Sequence, residues 1–390
     1  MLDRRTCLAS FLAMASAPVL AAAGGQNLND ELESLRGAHG LPALAAATVV
    51  KGELVESGVA GVRVNGSDIK TTIDDRFHLG SNTKAMTATL AGMMIEGGKL
   101  NWDSTIGQVL GADVKDINPK LAAVTFEQLL SHTGGIPTDN DEIGKLYFGS
   151  DAFALNLWTQ RLKTVAAWKD HAPEQAPGTA FHYANLGYLI AGAMIEKAAG
   201  IPWEQLIVSR VFAPLGLKTA GLGPQATTGK IDAPVGHQVD ERGVITPMLW
   251  GPAADAPPVI GPAGVAHMSV LDFAAWAGWN AGRGMRGPAL VKPETLARIH
   301  RPHVNMGVIP NATPGTPREG EYALGWGQVQ FDWTPGPVLT HSGSNSMNLA
   351  TILVDRDRDI GVVVVTNFPG DQADAALRKA METLYRRHTA

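Results

Sequence analysis

Runs with the make-up of β-strands lie at the two ends of this chain and helical patterns lie between them, so a large sheet can form only if the termini come together. From Ala43 the text "ALAAATVVKGELVESGVAGVRV" gives two β-rich runs joined near Lys51-Gly52, a hairpin signature. After residue 320, "YALGWGQVQFDW", "PGPVLTHSG", "LATILVD" and "IGVVVVTNF" read as successive strands, and "DQADAALRKAMETLYRRH" as an amphipathic closing helix. The middle is helical in "TFEQLLSH", "AFALNLWTQRLKTVAAW" and "LGYLIAGAMIEKAAG", with Pro/Gly-rich loops at 247–264 and about 302–320. Successive short strands favour antiparallel pairing. The predicted fold class is α/β: an antiparallel sheet built from N- and C-terminal strands and flanked by helices, plus a mainly helical lobe. The α/β part is expected at about 24–100 and 262–390 and the lobe at about 101–261, with ligands in the cleft between them. There is no internal repeat and no low-complexity tract.

A chain of 390 residues, 45% hydrophobic and 18% charged, has the balance of a globular protein with a sizeable core. Its net charge of −5 gives no general attraction to nucleic acid, so the expected partner is a small molecule. The first residues stand apart. Arg4-Arg5, the apolar "CLASFLAMASAPVL" and Ala21-Ala22-Ala23 follow the order of a secretory signal peptide, too short for a comfortable membrane span. Residues 1–23 are therefore expected to be a cleaved signal, by the general or the twin-arginine route, leaving residues 24–390 periplasmic or secreted without stable membrane insertion. Cys7 is the only cysteine, and it lies inside that segment. The mature chain is then expected to have no disulfide, no thiolate chemistry and no cysteine-bound metal.

Three short patterns carry possible chemistry. The first is Ser81-x-x-Lys84 in "HLGSNTKAMTATLAGMMIEGG". A serine hydroxyl needs a base beside it to act as a nucleophile, and residues three apart share a helical face. The apolar residues behind, Met86, Leu90 and Met93-Met94, are expected to desolvate the amine and favour its neutral form. The pattern also occurs at Ser67 and Lys70, but in the polar turn "VNGSDIKTT" with no apolar helix behind it. An ordinary polar helix start is the alternative reading of Ser81. The second pattern is Tyr183-x-Asn185 in "HYANLGY": a phenol to relay protons and an amide to orient a carbonyl or the lysine, or else a packed tyrosine with Asn185 as a helix cap. The third is His341-x-Gly343 in "THSGS", where a histidine follows a strand and a glycine permits close backbone approach. His-x-Gly recurs at His78 and His132, so the triplet alone decides nothing; His132 and His182 read as structural.

The order of the three, with "TFEQLLSHTGGIP", "PGTAFHYANLGYLIAGAMIEKAAG", "VFAPLGLKTAG", "GPAGVAHMSVLDFAAW" and "YALGWG", resembles the serine β-lactamase and penicillin-binding superfamily over about residues 40 to 370. The likeness is to the branch of class C β-lactamases, D-alanyl-D-alanine carboxypeptidases, D-aminopeptidases and related esterases. It implies Ser81 as acylated nucleophile, Lys84 as its base, Tyr183 as proton carrier, Asn185 as a holder of substrate and lysine, and the backbone N–H groups of Ser81 and Ser344 as oxyanion hole. Whether Lys84 or Tyr183 deprotonates Ser81 stays open. Two departures bear on substrate. "HSG" replaces the lysine-led "KTG" of class C enzymes, so His341 is expected to give the pocket a charge that fades through neutrality. Asp139 falls where class C enzymes carry a glutamine, which argues against that glutamine's role and towards a cationic substrate. No metal and no cofactor is expected, since no H-E-x-x-H or P-loop is present. The expected function is an exported serine hydrolase of carboxylesterase type, acting on an ester, a β-lactam or a D-amino-acid peptide. The alternatives are a class C-like β-lactamase, a D-Ala-D-Ala carboxypeptidase or D-aminopeptidase, and a penicillin-binding sensor that acylates without turnover.

Overall fold

The structure, a computed structural model, describes residues 28–149, 156–308 and 316–389; the signal-peptide reading and Cys7 lie outside them. In chain order the strands are β1 (Ala43–Val50), β2 (Glu53–Gly61), β3 (Arg76–His78), β4 (Gly221–Leu222), β5 (Gly236–Val239), β6 (Ile245–Met248), β7 (Ala266–Ser269), β8 (Val304–Val308), β9 (Glu319–Tyr322), β10 (Gly327–Val329), β11 (Val338–Ser344), β12 (Leu349–Asp355) and β13 (Ile360–Thr366). Eight of them form one antiparallel sheet in the order β2-β1-β13-β12-β11-β10-β9-β8. β1 lies against β13, with Leu44 opposite Thr366 and Val50 opposite Ile360, so the two ends of the chain do meet in the sheet centre.

The uninterrupted apolar text of β13 follows from this central place. Successive side chains of a strand point to opposite faces, and here both faces are covered. Val363 and Val365 join the core beneath the helix Val270–Ala281, while Val362 and Val364 join a second core with Leu32, Leu377 and Leu384 of the helices Leu28–Ala38 and Asp371–Arg387. Burying each such side chain contributes about 1.5–3 kcal/mol, so the centre of the sheet is its most firmly held part.

The edge differs from its text. Residues 302–320 read as a loop, yet β8 and β9 occupy part of it as the outermost pair, half exposed and kinked between Asn305 and Gly307. An edge strand needs no apolar alternation, which is why the text hides it. "YALGWGQVQFDW" is not one strand: the chain turns between Tyr322 and Gly327, with the Ala323 N–H on the Trp326 carbonyl, and returns as β10. Residues 101–261 hold helices such as Leu157–Trp168 and Asn185–Ala199, and also β4 and the hairpin β5–β6. The stretch 247–264 is largely a covering segment, beginning in β6 and ending in the single turn Gly261–Gly264.

Between sheet and helices runs the helix Thr83–Glu96, entered through the 3-10 turn Gly80–Asn82. Every residue from Asn82 to Gly92 is buried, so over this length the helix turns no face to solvent. A helix buried on all sides sits at the centre of its protein. It ends at Gly97, as the glycine pair in its text predicts.

Candidate active site

The fold brings Ser81, Lys84, Tyr183 and Asn185 into one cluster. Ser81 sits in the 3-10 turn rather than in the first helical turn, and Lys84 follows one turn later. The Lys84 Nζ lies 3.0 Å from the Ser81 Oγ, 2.6 Å from the Asn185 Oδ1 and 2.8 Å from the Ala263 carbonyl oxygen. The Tyr183 phenol is close enough to the Ser81 side chain for that hydroxyl to lower its pKa, against the larger effect of burial. Asn185 is the first residue of its helix, but Ala184 is the N-cap, so the amide does not cap. Its carbonyl faces Lys84 and its Nδ2 donates to the exposed Asp139 Oδ2 at 2.7 Å. The Asp139 Oδ1 accepts from the Tyr147 hydroxyl at 3.1 Å. The second S-x-x-K stays apart: the Ser67 hydroxyl bonds the Val64 carbonyl, and Lys70 is exposed.

Burial sets the charges. Lys84 is fully buried, which lowers its pKa to about 7, with the charge of Asp139 opposing the fall. The rings of Tyr183 and Tyr188 lie against its ammonium, at 4.7 and 5.4 Å. A neutral amine keeps two N–H bonds, enough for Asn185 and Ala263, and turns its lone pair to the Ser81 hydroxyl. The cluster can therefore take a proton from Ser81 at neutral pH. Tyr183 is pushed well above its ordinary value by burial, only partly offset by the Ser81 hydroxyl, and is a phenol rather than a phenolate.

His341 corrects an expectation. The residue is 8% exposed, and burial, helped by the nearby Lys84, lowers its pKa to about 3. The Nδ1–H donates to the Ser342 carbonyl at 2.7 Å and Nε2 accepts from the Tyr322 hydroxyl at 3.0 Å. His341 is thus neutral through the whole range in which a free histidine titrates, and supplies no cation for a carboxylate.

Gly343 and Ser344 close the site. The end of β11 lies so near the Gly80–Asn82 turn that a Cβ on Gly343 would stand 2.0 Å from the Leu79 carbonyl oxygen and 2.6 Å from the Ser81 nitrogen. Gly80, with φ near +50°, meets Ser344 in the same way, its own Cβ position 2.3 Å from the Ser344 nitrogen. The Ser81 and Ser344 amides are neighbours as a result.

Several partners left little trace in the text. Ala263 acts through a backbone carbonyl, which no side-chain pattern announces. His132, buried and left-handed (φ 59°), accepts the Ala184 N–H on Nδ1 at 3.1 Å and lies 4.3 Å from the Tyr183 ring. Tyr322 packs on the same group and holds His341. His78 and Asp255, from β3 and the covering segment, meet at 2.9 Å beside the Gly80–Asn82 turn. Among the described residues no cluster of His, Cys, Asp and Glu could hold a metal ion. No helix there is long and apolar enough to cross a membrane.

A sequence profile of the beta-lactamase family matches residues 28–385. The chain belongs to that family. As a beta-lactamase family member it is 26% identical over 358 residues to penicillin-binding protein 4 of Amycolatopsis lactamdurans, covering 87% of this chain and 84% of that protein. Other curated relatives are longer, and the chain spans only 54% to 60% of the length of several. Among solved structures, the octameric penicillin-binding protein homologue from Pyrococcus abyssi superposes with a TM-score of 0.74 at 23% identity, over 92% of this chain and 77% of that one. The D-stereospecific amidohydrolase from Streptomyces sp. superposes with a TM-score of 0.68 at 20% identity, over 90% and 97%. The shared fold is that of the beta-lactamase and transpeptidase group of serine hydrolases.

Proposed function

We propose that this family member is a serine hydrolase that cleaves esters or amides through an acyl-enzyme on Ser81. The carrying observation is the Lys84 amine, 3.0 Å from the Ser81 Oγ and brought by burial to a pKa of about 7. In this reading Lys84 takes the hydroxyl proton as the Ser81 oxygen attacks the carbonyl carbon. The Ser81 and Ser344 amides receive the developing oxyanion. Tyr183, still a phenol, hands its proton to the leaving group as that bond breaks, and is reprotonated from Lys84. Water then attacks the acyl-enzyme and the proton moves retrace their path. Between the two bases this reading takes Lys84, whose Nζ lies 3.0 Å from the Ser81 Oγ, because burial keeps Tyr183 a phenol with no free base form at neutral pH.

The substrate reading leans away from carboxylate-bearing β-lactams and D-Ala-D-Ala peptides, since His341 is neutral. A neutral carboxylic ester suits the site. A second reading is supported by Asp139: its carboxylate, fixed on Asn185 at the exposed mouth, would suit the amine of an aminoacyl ester or amide, and the amidohydrolase fold neighbour agrees with it. The deciding assay runs p-nitrophenyl butyrate, D-alanine p-nitroanilide, D-Ala-D-Ala and nitrocefin side by side. Turnover of the ester or the anilide ahead of nitrocefin, abolished in Ser81→Ala and kept in Ser67→Ala, is the expected result. Turnover surviving in Ser81→Ala refutes the assignment of the nucleophile, and acylation by penicillin without turnover of any substrate leaves the sensor reading in its place.

A further inference from the structure

The oxyanion pocket is assembled from two pieces of chain with nothing to interlock. One is the Gly80–Asn82 turn and the other the end of β11, and they meet through Gly80 and Gly343, which have no side chains. Hard contact stops the two amides from approaching further, but it does not stop them from sliding or parting. Asn82 ties the turn to β12, its Nδ2 donating to the Leu79 and Ala350 carbonyls at 2.8 and 3.2 Å. Ala350 lies opposite Gly343, so this tie ends there and does not fasten Ser344, which pairs with Leu349, or Asn345 to the turn.

Asp255 reaches both pieces. On one side His78 accepts the Gly80 N–H on its Nδ1 at 3.0 Å, which puts the ring hydrogen on Nε2, 2.9 Å from the Asp255 Oδ1. The contact lies off the ideal hydrogen-bond line, so its attraction is mainly electrostatic. On the other side the Asn345 Nδ2 donates to the same Oδ1 at 2.8 Å. The Asn345 Oδ1 in turn accepts from the Asn348 amide at 2.9 Å and sets the β11–β12 turn. The Ala256 N–H completes the set at 2.7 Å. Burial by itself would raise the Asp255 pKa, but His78 and these hydrogen bonds outweigh it and hold the carboxyl below its ordinary value. One carboxylate oxygen thus draws in the residue before the nucleophile and the residue after Ser344, while the other oxygen is buried without a partner. A side chain serving only to fill space has no use for that charge.

We propose that Asp255, acting through His78 and Asn345, is a positioning residue that sets the spacing of the Ser81 and Ser344 amides. The proposal rests on the reading of Ser81 as nucleophile. Donors aimed at an oxyanion act only when correctly spaced, so loosening the clamp weakens the transition state more than substrate binding.

The test compares Asp255→Asn, His78→Asn and Asn345→Ala. His78→Asn keeps an acceptor near Nδ1 but does not reach Asp255. For each, kcat and KM on p-nitrophenyl butyrate are referred to active sites titrated with a fluorophosphonate. The expected result is a kcat per titrated site lower by roughly 10- to 100-fold with KM within about twofold, part of what complete loss of one donor costs. Asp255→Asn and Asn345→Ala combined should lose less than the product of the single effects. A purely structural role would lower Tm and the titratable fraction and leave kcat per titrated site at the wild-type value, which overturns the proposal. If Asp255→Asn does not fold, the same measurement on the half-buried Asn345→Ala decides alone. If the wild type neither labels nor turns over, the functional reading fails by itself, and amide hydrogen exchange decides the clamp. Faster exchange over both 78–82 and 342–347 in the variants sustains it, and unchanged exchange in either stretch overturns it.

Discussion

At the scale of the residue, the proposed chemistry turns on Lys84, because its surroundings refuse its charge. A lysine pKa brought down to about 7 means that the protonated form, unable to accept from Ser81, dominates below that pH and the free amine above it. Acylation by a neutral ester should therefore rise with pH through a midpoint near 7 and level off, as read from the rate of fluorophosphonate labelling. His341, neutral above a pKa of about 3, should add no second step near 6.5. A step there that vanishes in His341→Asn would show a charged histidine after all. Lys84→Arg keeps the charge and never loses its proton, so labelling should slow by roughly 10²–10⁴-fold, the usual worth of a general base.

At the scale of the element, the site depends on how closely the end of β11 lies on the 3-10 turn. Gly343→Ala places a methyl 2.0 Å from the Leu79 carbonyl oxygen, and backbone on both sides has no rotamer by which to yield. Overpacking of this kind costs about 1–3 kcal/mol, so Tm should fall measurably by calorimetry. Because the movement opens the pair of amides, labelling of Ser81 should suffer more than stability does. A folded Gly343→Ala variant that labels at the wild-type rate would show that the close approach is not required.

At the scale of the whole molecule, the covering segment is what joins the helices to the sheet at the site. Arg161 of the helix Leu157–Trp168 is fully buried, pairs with Glu196 and Glu204, and donates from Nε to the Val259 carbonyl at 3.0 Å. Four residues on, the same segment supplies the Ala263 carbonyl to Lys84. Arg161→Leu leaves Glu196 buried without its cation, and removing one partner of a buried pair costs about 3–5 kcal/mol. Denaturant unfolding should register that loss, and acylation should slow in the variant that remains folded. With Cys7 as the only cysteine, no intramolecular disulfide is possible, so Tm should be the same with and without reductant.

The text of the chain determined what local pattern can determine. Alternation and β-branched runs marked β1 and β11 to β13, because central strands must be apolar on the faces they bury, while the turn at Lys51-Gly52 marked the edge strand β2 as the partner of β1. The S-x-x-K spacing put Ser81 and Lys84 within one turn, and the apolar helix behind them separated this pair from Ser67 and Lys70. Edge strands β8 and β9 escaped because solvent on one side removes the need for a pattern. Charge was legible only where burial was. Lys84 follows from the helix it opens, whereas His341 read as titratable because nothing local announces the Tyr183, Tyr188 and Tyr322 rings that enclose this site. The Ala263 carbonyl, the Asp255 clamp and the nearness of the Ser81 and Ser344 amides join residues more than 80 positions apart. Such contacts depend on the closing of the whole core, and only the tertiary structure decides them.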